Sequence, residues 1–204
     1  MLREFLKPSG RGSNIQPANL MAIEFRKLLQ RVRVMAGYVF AVVFIVFCRP
    51  SRDLLIAGAI VALLGLLLRG WACGHLRKIS ELDTSGPYAY TRNPLYLGSF
   101  LITVGFSIAS GVWWLALLSV IFFLGIYLPV MNVEKNELED VLGDDYRAYA
   151  AGVPVFIPRL TPWKHSDRRF DFQLYLKHGE YFAAIGVGLT LVILAFKAYL
   201  IGSL

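Results

Sequence analysis

The chain has 204 residues, 56% of them hydrophobic and 17% charged, with a formal charge of +7 and a mean hydropathy of +0.55. An apolar share above the about 45–50% usual in soluble domains argues for a membrane protein. The basic residues lie beside apolar runs rather than on one polar face, so they favour anionic lipid and membrane topology over nucleic acid.

Residues 1–19 are polar, with Pro, Gly and Ser, and are expected to be flexible rather than a cleavable signal. The stretch NLMAIEFRKLLQRVR (19–33) repeats Met21, Phe25, Leu28 and Val32 at helical spacing and predicts a basic amphipathic helix on the membrane surface. From residue 34 onward one membrane domain is expected. Its apolar segments are 34–48, 54–72, 94–110, 112–131 and 181–201. A crossing takes about 20 residues, with about 17–25 usual, so the first and third need help from their flanks. Cys48 and Cys73 fall in or beside these segments, which suits packing and not a disulfide framework or metal pair.

Ser110 and Gly111 alone separate the third and fourth segments, which predicts an antiparallel helical hairpin. Arg26, Lys27, Arg31 and Arg33 precede the first segment, and Arg77, Lys78 and Arg92 lie between the second and third. Lys135, Arg147, Arg159, Lys164, Arg168, Arg169 and Lys177 lie between the fourth and fifth. A cytoplasmic N-terminus puts all three groups inside; Arg49 and Arg52 are a small exception. The expectation is an all-α integral membrane protein of about five helices, with the polar loops 73–93 and 132–180 on one cytosolic face.

Two stretches in those loops carry chemistry. TSGPYAYTRNPLYLG (84–98) ends at the start of the third helix, with Pro94 suited to its first turn and Asn93 to its N-cap. Free N–H groups there, with Arg92 adjacent, suit a carboxylate or phosphate. Gly98 and Gly105 leave a small face for close helix packing or a ligand. The bland alternative is a helix start beside an arginine that snorkels to lipid phosphate. In MNVEKNELEDVLGDDYRAYAAGVPVFIP (131–158), Glu134 and Glu137 occupy neighbouring positions on a continuing helix, which Pro129 is expected to interrupt one turn earlier. Glu134 near the boundary could accept from ribose hydroxyls or an ammonium, whereas Glu139, Asp140, Asp144 and Asp145 suit a solvated face. His75, His165 and His178 are structural candidates, Tyr146 and Tyr149 packing candidates. GVG at 186–188 suits helix packing, because it lacks the strand and turn of a nucleotide fingerprint.

Together the stretches resemble the isoprenylcysteine carboxyl methyltransferase family, within the membrane methyltransferases that include phospholipid N-methyltransferases. Thr84, Ser85, Gly86, Tyr88, Ala89, Arg92, Pro94, Tyr96 and Gly98 stand in register with the first family motif. Glu134, Leu138, Gly143, Tyr146, Tyr149, Val153, Pro154, Ile157 and Pro158 stand in register with the second. The match covers about residues 75–160. It departs at Asn93 for the family histidine, Lys135 for the second glutamate, Leu142 for phenylalanine, and Val130 for a substrate arginine. Asn93 keeps a hydrogen bond but carries no charge near neutral pH.

The resemblance implies methyl transfer from S-adenosyl-L-methionine to a lipophilic acceptor, a carboxylate or a lipid amine. It implies cofactor contacts at Tyr88, Arg92, Asn93, Pro94, Leu95, Tyr96, Gly98 and Glu134, with residues 80–83 a weaker addition. No general base stands out. The alternatives are an NADPH-dependent reductase of the sterol-reductase kind and a non-catalytic membrane protein of the same fold.

Overall fold

In a computed structural model the described residues are 35, 37–77, 82–164, 166 and 168–203. The expected amphipathic helix at 19–33 lies outside them. They fall into two units, Met1–Val46 and Phe47–Leu204. Within the first, helix α1 begins; it spans Gly37–Phe47, and Phe40 and Phe44 face each other along it at 6.0 Å between ring centroids.

The second unit holds α2 (Arg52–Cys73), a 3-10 turn at Gly86–Ala89, α3 (Pro94–Ala109), α4 (Trp113–Gly152), α5 (Phe172–Lys177) and α6 (Tyr181–Leu200). No strand occurs among the described residues. The protein is all-helical, as expected. Among the described residues three helices, α2, α4 and α6, are long and apolar enough to cross a membrane, and α1 and α3 are shorter apolar helices. Their outward residues are large and greasy, among them Leu63, Leu67, Leu117, Ile121, Leu189 and Val192. So broad an exposed apolar surface calls for lipid.

Small residues determine how α2 meets α3. A Cβ added to Gly58 would strike the Gly105 carbonyl and Ala109; one added to Gly65 would strike the Gly98 carbonyl and Ile102. Gly105 meets Gly58 and Ala62 in return. Backbones come this close only where side chains are missing, and between membrane helices that close approach supplies the attraction. The pairing of 58 with 105 and 65 with 98 makes the two helices antiparallel.

The hairpin from α3 to α4 turns at Gly111, whose φ of +66° sits in the left-handed region and whose missing Cβ faces the Arg49 carbonyl. Ser110 Oγ accepts from the Val112 N–H, and its carbonyl accepts from Arg49 N at 2.7 Å. At the far side of α2, Arg52 N donates to Ser203 O, while Arg69 binds Glu180 at the other end of α6. Thus α6 also runs antiparallel to α2.

Two expectations need correction. Helix α4 continues through Pro129; the interruption comes at Gly143, with φ 53° and ψ −123°. Only glycine takes that backbone readily, and it re-aims the last turns of the helix. Gly186 and Gly188 have open space where a Cβ would be, so they do not pack against a neighbouring helix among the described residues.

Candidate functional site

The 82–93 and 153–163 segments are laced together by backbone bonds. Arg92 N donates to Pro154 O, Arg159 N to Tyr90 O and Trp163 N to Ala89 O, each within 3.0 Å. Beneath them Tyr146, Tyr149 and Val153 form a buried cluster with Leu82, Leu138, Leu142 and Trp163. The Tyr149 hydroxyl donates to the Tyr88 carbonyl at 2.8 Å. Tyr146 and Tyr149 are therefore packing residues, as expected. So are His75, buried with Nδ1 against the Trp71 carbonyl, and His178, with Nδ1 on the Leu174 carbonyl. Cys48 and Cys73 are both buried thiols, and Cys73 Sγ donates to Glu180.

Asn93 takes the N-cap position of α3 without capping it. Its side chain makes no bond to the first turn; instead Nδ2 donates to the Val155 carbonyl at 2.9 Å. The loop after α4 presents the Val155 carbonyl there, which also accepts from Thr91 Oγ at 3.3 Å, and binding it takes the place of the cap. Thr91 Oγ donates to the same stretch at Phe156 O, 3.1 Å. Pro94 is buried at the first helical position, which suits its missing N–H. Gly98 lies in the seam with α2, under Gly65 and Arg69. Leu95 contributes its carbonyl, which accepts from Ser99 Oγ at 3.0 Å.

Tyr96 reaches across to α4, its hydroxyl donating to Glu134 Oε1 at 2.6 Å. Glu134 is half-buried while Glu137 is exposed, and Glu139 pairs with Arg147 on the surface. The two glutamates of the helical pair are thus separated by environment. An aromatic wall extends from Tyr96: its ring lies 5.2 Å from Tyr127, which stacks on Phe123 at 4.3 Å, and Phe100 meets Phe123 and Phe156.

Three buried polar atoms have no hydrogen-bond partner among the described residues: Ser85 Oγ, the Tyr88 hydroxyl and Arg92 Nε. Leaving such groups unpaired costs about 1–3 kcal/mol each, so three within eight residues single this stretch out as the candidate site. All three can donate, and they suit a ligand rich in acceptor oxygens. Burial, first, then the nearby Cys73, Asp83, Tyr149 and Glu134, push the Tyr88 phenol well above its ordinary range, so it stays protonated. Among the described residues no three His, Cys, Asp or Glu side chains come together as a metal site.

Residues 54–145 match the phospholipid methyltransferase family. The match takes in a little under half of the chain and agrees with the motif resemblance to the membrane methyltransferases. The matched stretch runs from α2 through the Tyr96–Glu134 contact and into the second half of α4. The chain is similar to the nickel-cobalt-cadmium resistance protein NccN of Alcaligenes xylosoxydans xylosoxydans, 28% identical over 149 residues, 70% of this chain and 68% of NccN. It is also similar to the cobalt-zinc-cadmium resistance protein CzcN of Cupriavidus metallidurans, 31% identical over 117 residues, 56% of this chain and 53% of CzcN. It spans about two thirds of the length of one and about half of the other. No solved structure matches the chain at a significant level.

Sequence reasoning named Tyr88, Arg92, Tyr96 and Glu134 as candidates and did not point to Ser85 as an unpartnered donor, to the aromatic wall, or to Arg69 with Glu180. Arg69 had a signal: it is a charge within an apolar run, and charges there are seldom idle. Ser85 had none, because only the fold reveals which hydroxyl lacks a partner.

Proposed function

We propose that this protein transfers a methyl group from S-adenosyl-L-methionine to a lipophilic acceptor, a carboxylate or a lipid amine, drawn from the membrane. The family match supports methyl transfer in general. The observation that carries the cofactor is the group of orphaned donors beside the Tyr96–Glu134 pair. Ser85, Tyr88 and Arg92 would hold the carboxylate and other acceptor oxygens; Glu134 would take a ribose hydroxyl or the ammonium. When bound, S-adenosylmethionine supplies an electrophilic methyl on a sulfonium. The aromatic wall offers π-faces to positive charge and keeps water out, and the chain's remaining task is alignment for in-line approach. Asn93, Pro94, Leu95 and Gly98 serve by shaping the first turns of α3.

The distribution of Lys and Arg supports five membrane helices with the N-terminus and the site on the cytosolic side. A soluble cofactor then arrives from the cytosol and the acceptor from the bilayer. Calorimetric titration of the purified chain with S-adenosylmethionine and, separately, with NADPH tests the reading. Binding of the first alone is expected; binding of NADPH alone would favour a reductase, and binding of neither a non-catalytic protein. Both relatives are named for metal resistance, which makes growth under cobalt or cadmium the condition in which to look for loss of function.

A further inference from the structure

Arg69 lies inside α2, yet its guanidinium is fully engaged. Nε and Nη2 donate to the two carboxylate oxygens of Glu180, at 2.5 and 2.9 Å, and Nη1 donates to Ser99 Oγ at 2.5 Å and to the Leu95 carbonyl at 3.4 Å. Glu180, at the N-cap position of α6, is 5% exposed and also accepts from the Cys73 thiol. Burying two ions among membrane helices is costly, and a tie between α2 and α6 uses only the Nε and Nη2 edge of the fork, leaving Nη1 for α3. A tie between two helices therefore does not account for a fork that also grips a third. The third helix is gripped at its first turn: Leu95 lies between Pro94 and Tyr96, and Tyr96 is held from the opposite side by Glu134.

We propose that Arg69 and Glu180 are positioning residues that hold the first turn of α3 in the geometry the cofactor requires. The proposal rests on the cofactor reading above. Glu180 fixes the plane of the guanidinium, the guanidinium fixes Ser99 and the Leu95 carbonyl, and Tyr96 and the nearby donors follow. Only arginine can do this, because a lysine ammonium is a point charge without the planar fork.

The test is Arg69→Lys and Glu180→Gln in the full chain in lipid nanodiscs, with thermal unfolding, S-adenosylmethionine titration and amide hydrogen exchange over residues 94–99. A purely structural tie predicts that Arg69→Lys, which keeps the charge pair, leaves affinity unchanged. Positioning predicts a folded protein whose affinity falls about tenfold and whose 94–99 amides exchange faster, since a charge-assisted bond is lost. Unchanged affinity and exchange in both folded variants would overturn it. Should both fail to fold, Ser99→Ala, which removes one partner of the fork, is read by the same two outcomes. Should the wild type bind no S-adenosylmethionine, the cofactor reading fails, and the exchange data alone decide whether the pair holds the turn.

Discussion

Glu134 and Glu139 are carboxylates five positions apart in one helix, and their surroundings give them different work. Glu134 is half-buried and accepts the Tyr96 hydroxyl; Glu139 pairs with Arg147 in solvent. Glu134→Gln should weaken S-adenosylmethionine binding by about 1.5–3 kcal/mol, roughly ten- to hundredfold, while Glu139→Gln leaves it unchanged. Calorimetric titration of both variants checks this, and equal small effects would remove Glu134 from the site. Tyr88 makes a sharper case. Its buried hydroxyl is unpartnered, so Tyr88→Phe should leave the ligand-free protein as stable or more so, yet lower cofactor affinity. Burial also raises its folded pKa, so the folded form keeps a proton that the unfolded chain gives up. Its titration therefore leaves stability unchanged below about pH 10 and lowers it as pH rises above that. Alkaline unfolding should therefore be shallower in Tyr88→Phe than in the wild type.

At the scale of elements, glycines determine what the helices can do. Gly65 and Gly105 lie in the α2–α3 seam with no room for a side chain. Gly65→Leu should abolish folding, seen as loss of a monodisperse protein in detergent, whereas Gly125→Leu, in open space on α4, should be tolerated. Gly143 is open around its Cβ but has φ 53° and ψ −123°, so Gly143→Ala meets backbone strain rather than a clash. A loss of about 1–3 kcal/mol is expected, measured by thermal unfolding. A straight helix would carry Tyr146 and Tyr149 away from Leu82 and Trp163, so the break at Gly143 helps to place the site's floor.

In the unit from Phe47 to Leu204, α6, α2, α3 and α4 follow one another antiparallel, which brings the 82–93 and 153–163 segments to the same end. Cysteines introduced at positions 85 and 145 should therefore label from the same side of the membrane, the cytosolic one. Labelling from opposite sides would defeat the topology. Much of this was legible in the sequence. Apolar run length and composition determine which segments become membrane helices, because every backbone group in lipid must be satisfied within its own helix. The Ser110–Gly111 break determines the hairpin, and the spacing around Arg92 and Glu134 carries the family resemblance. The tertiary structure alone decided the rest. It turned Asn93 from a cap into a tie, because a carbonyl 62 residues away competes for its amide. It moved the break in α4 from Pro129 to Gly143, because a helix tolerates proline when its neighbours absorb the lost bond. It joined Arg69 to Glu180 across 111 residues and left Ser85 Oγ, the Tyr88 hydroxyl and Arg92 Nε without hydrogen-bond partners among the described residues. A sequence displays which groups can form hydrogen bonds; whether each finds one depends on what the folded chain brings within about 3 Å of it.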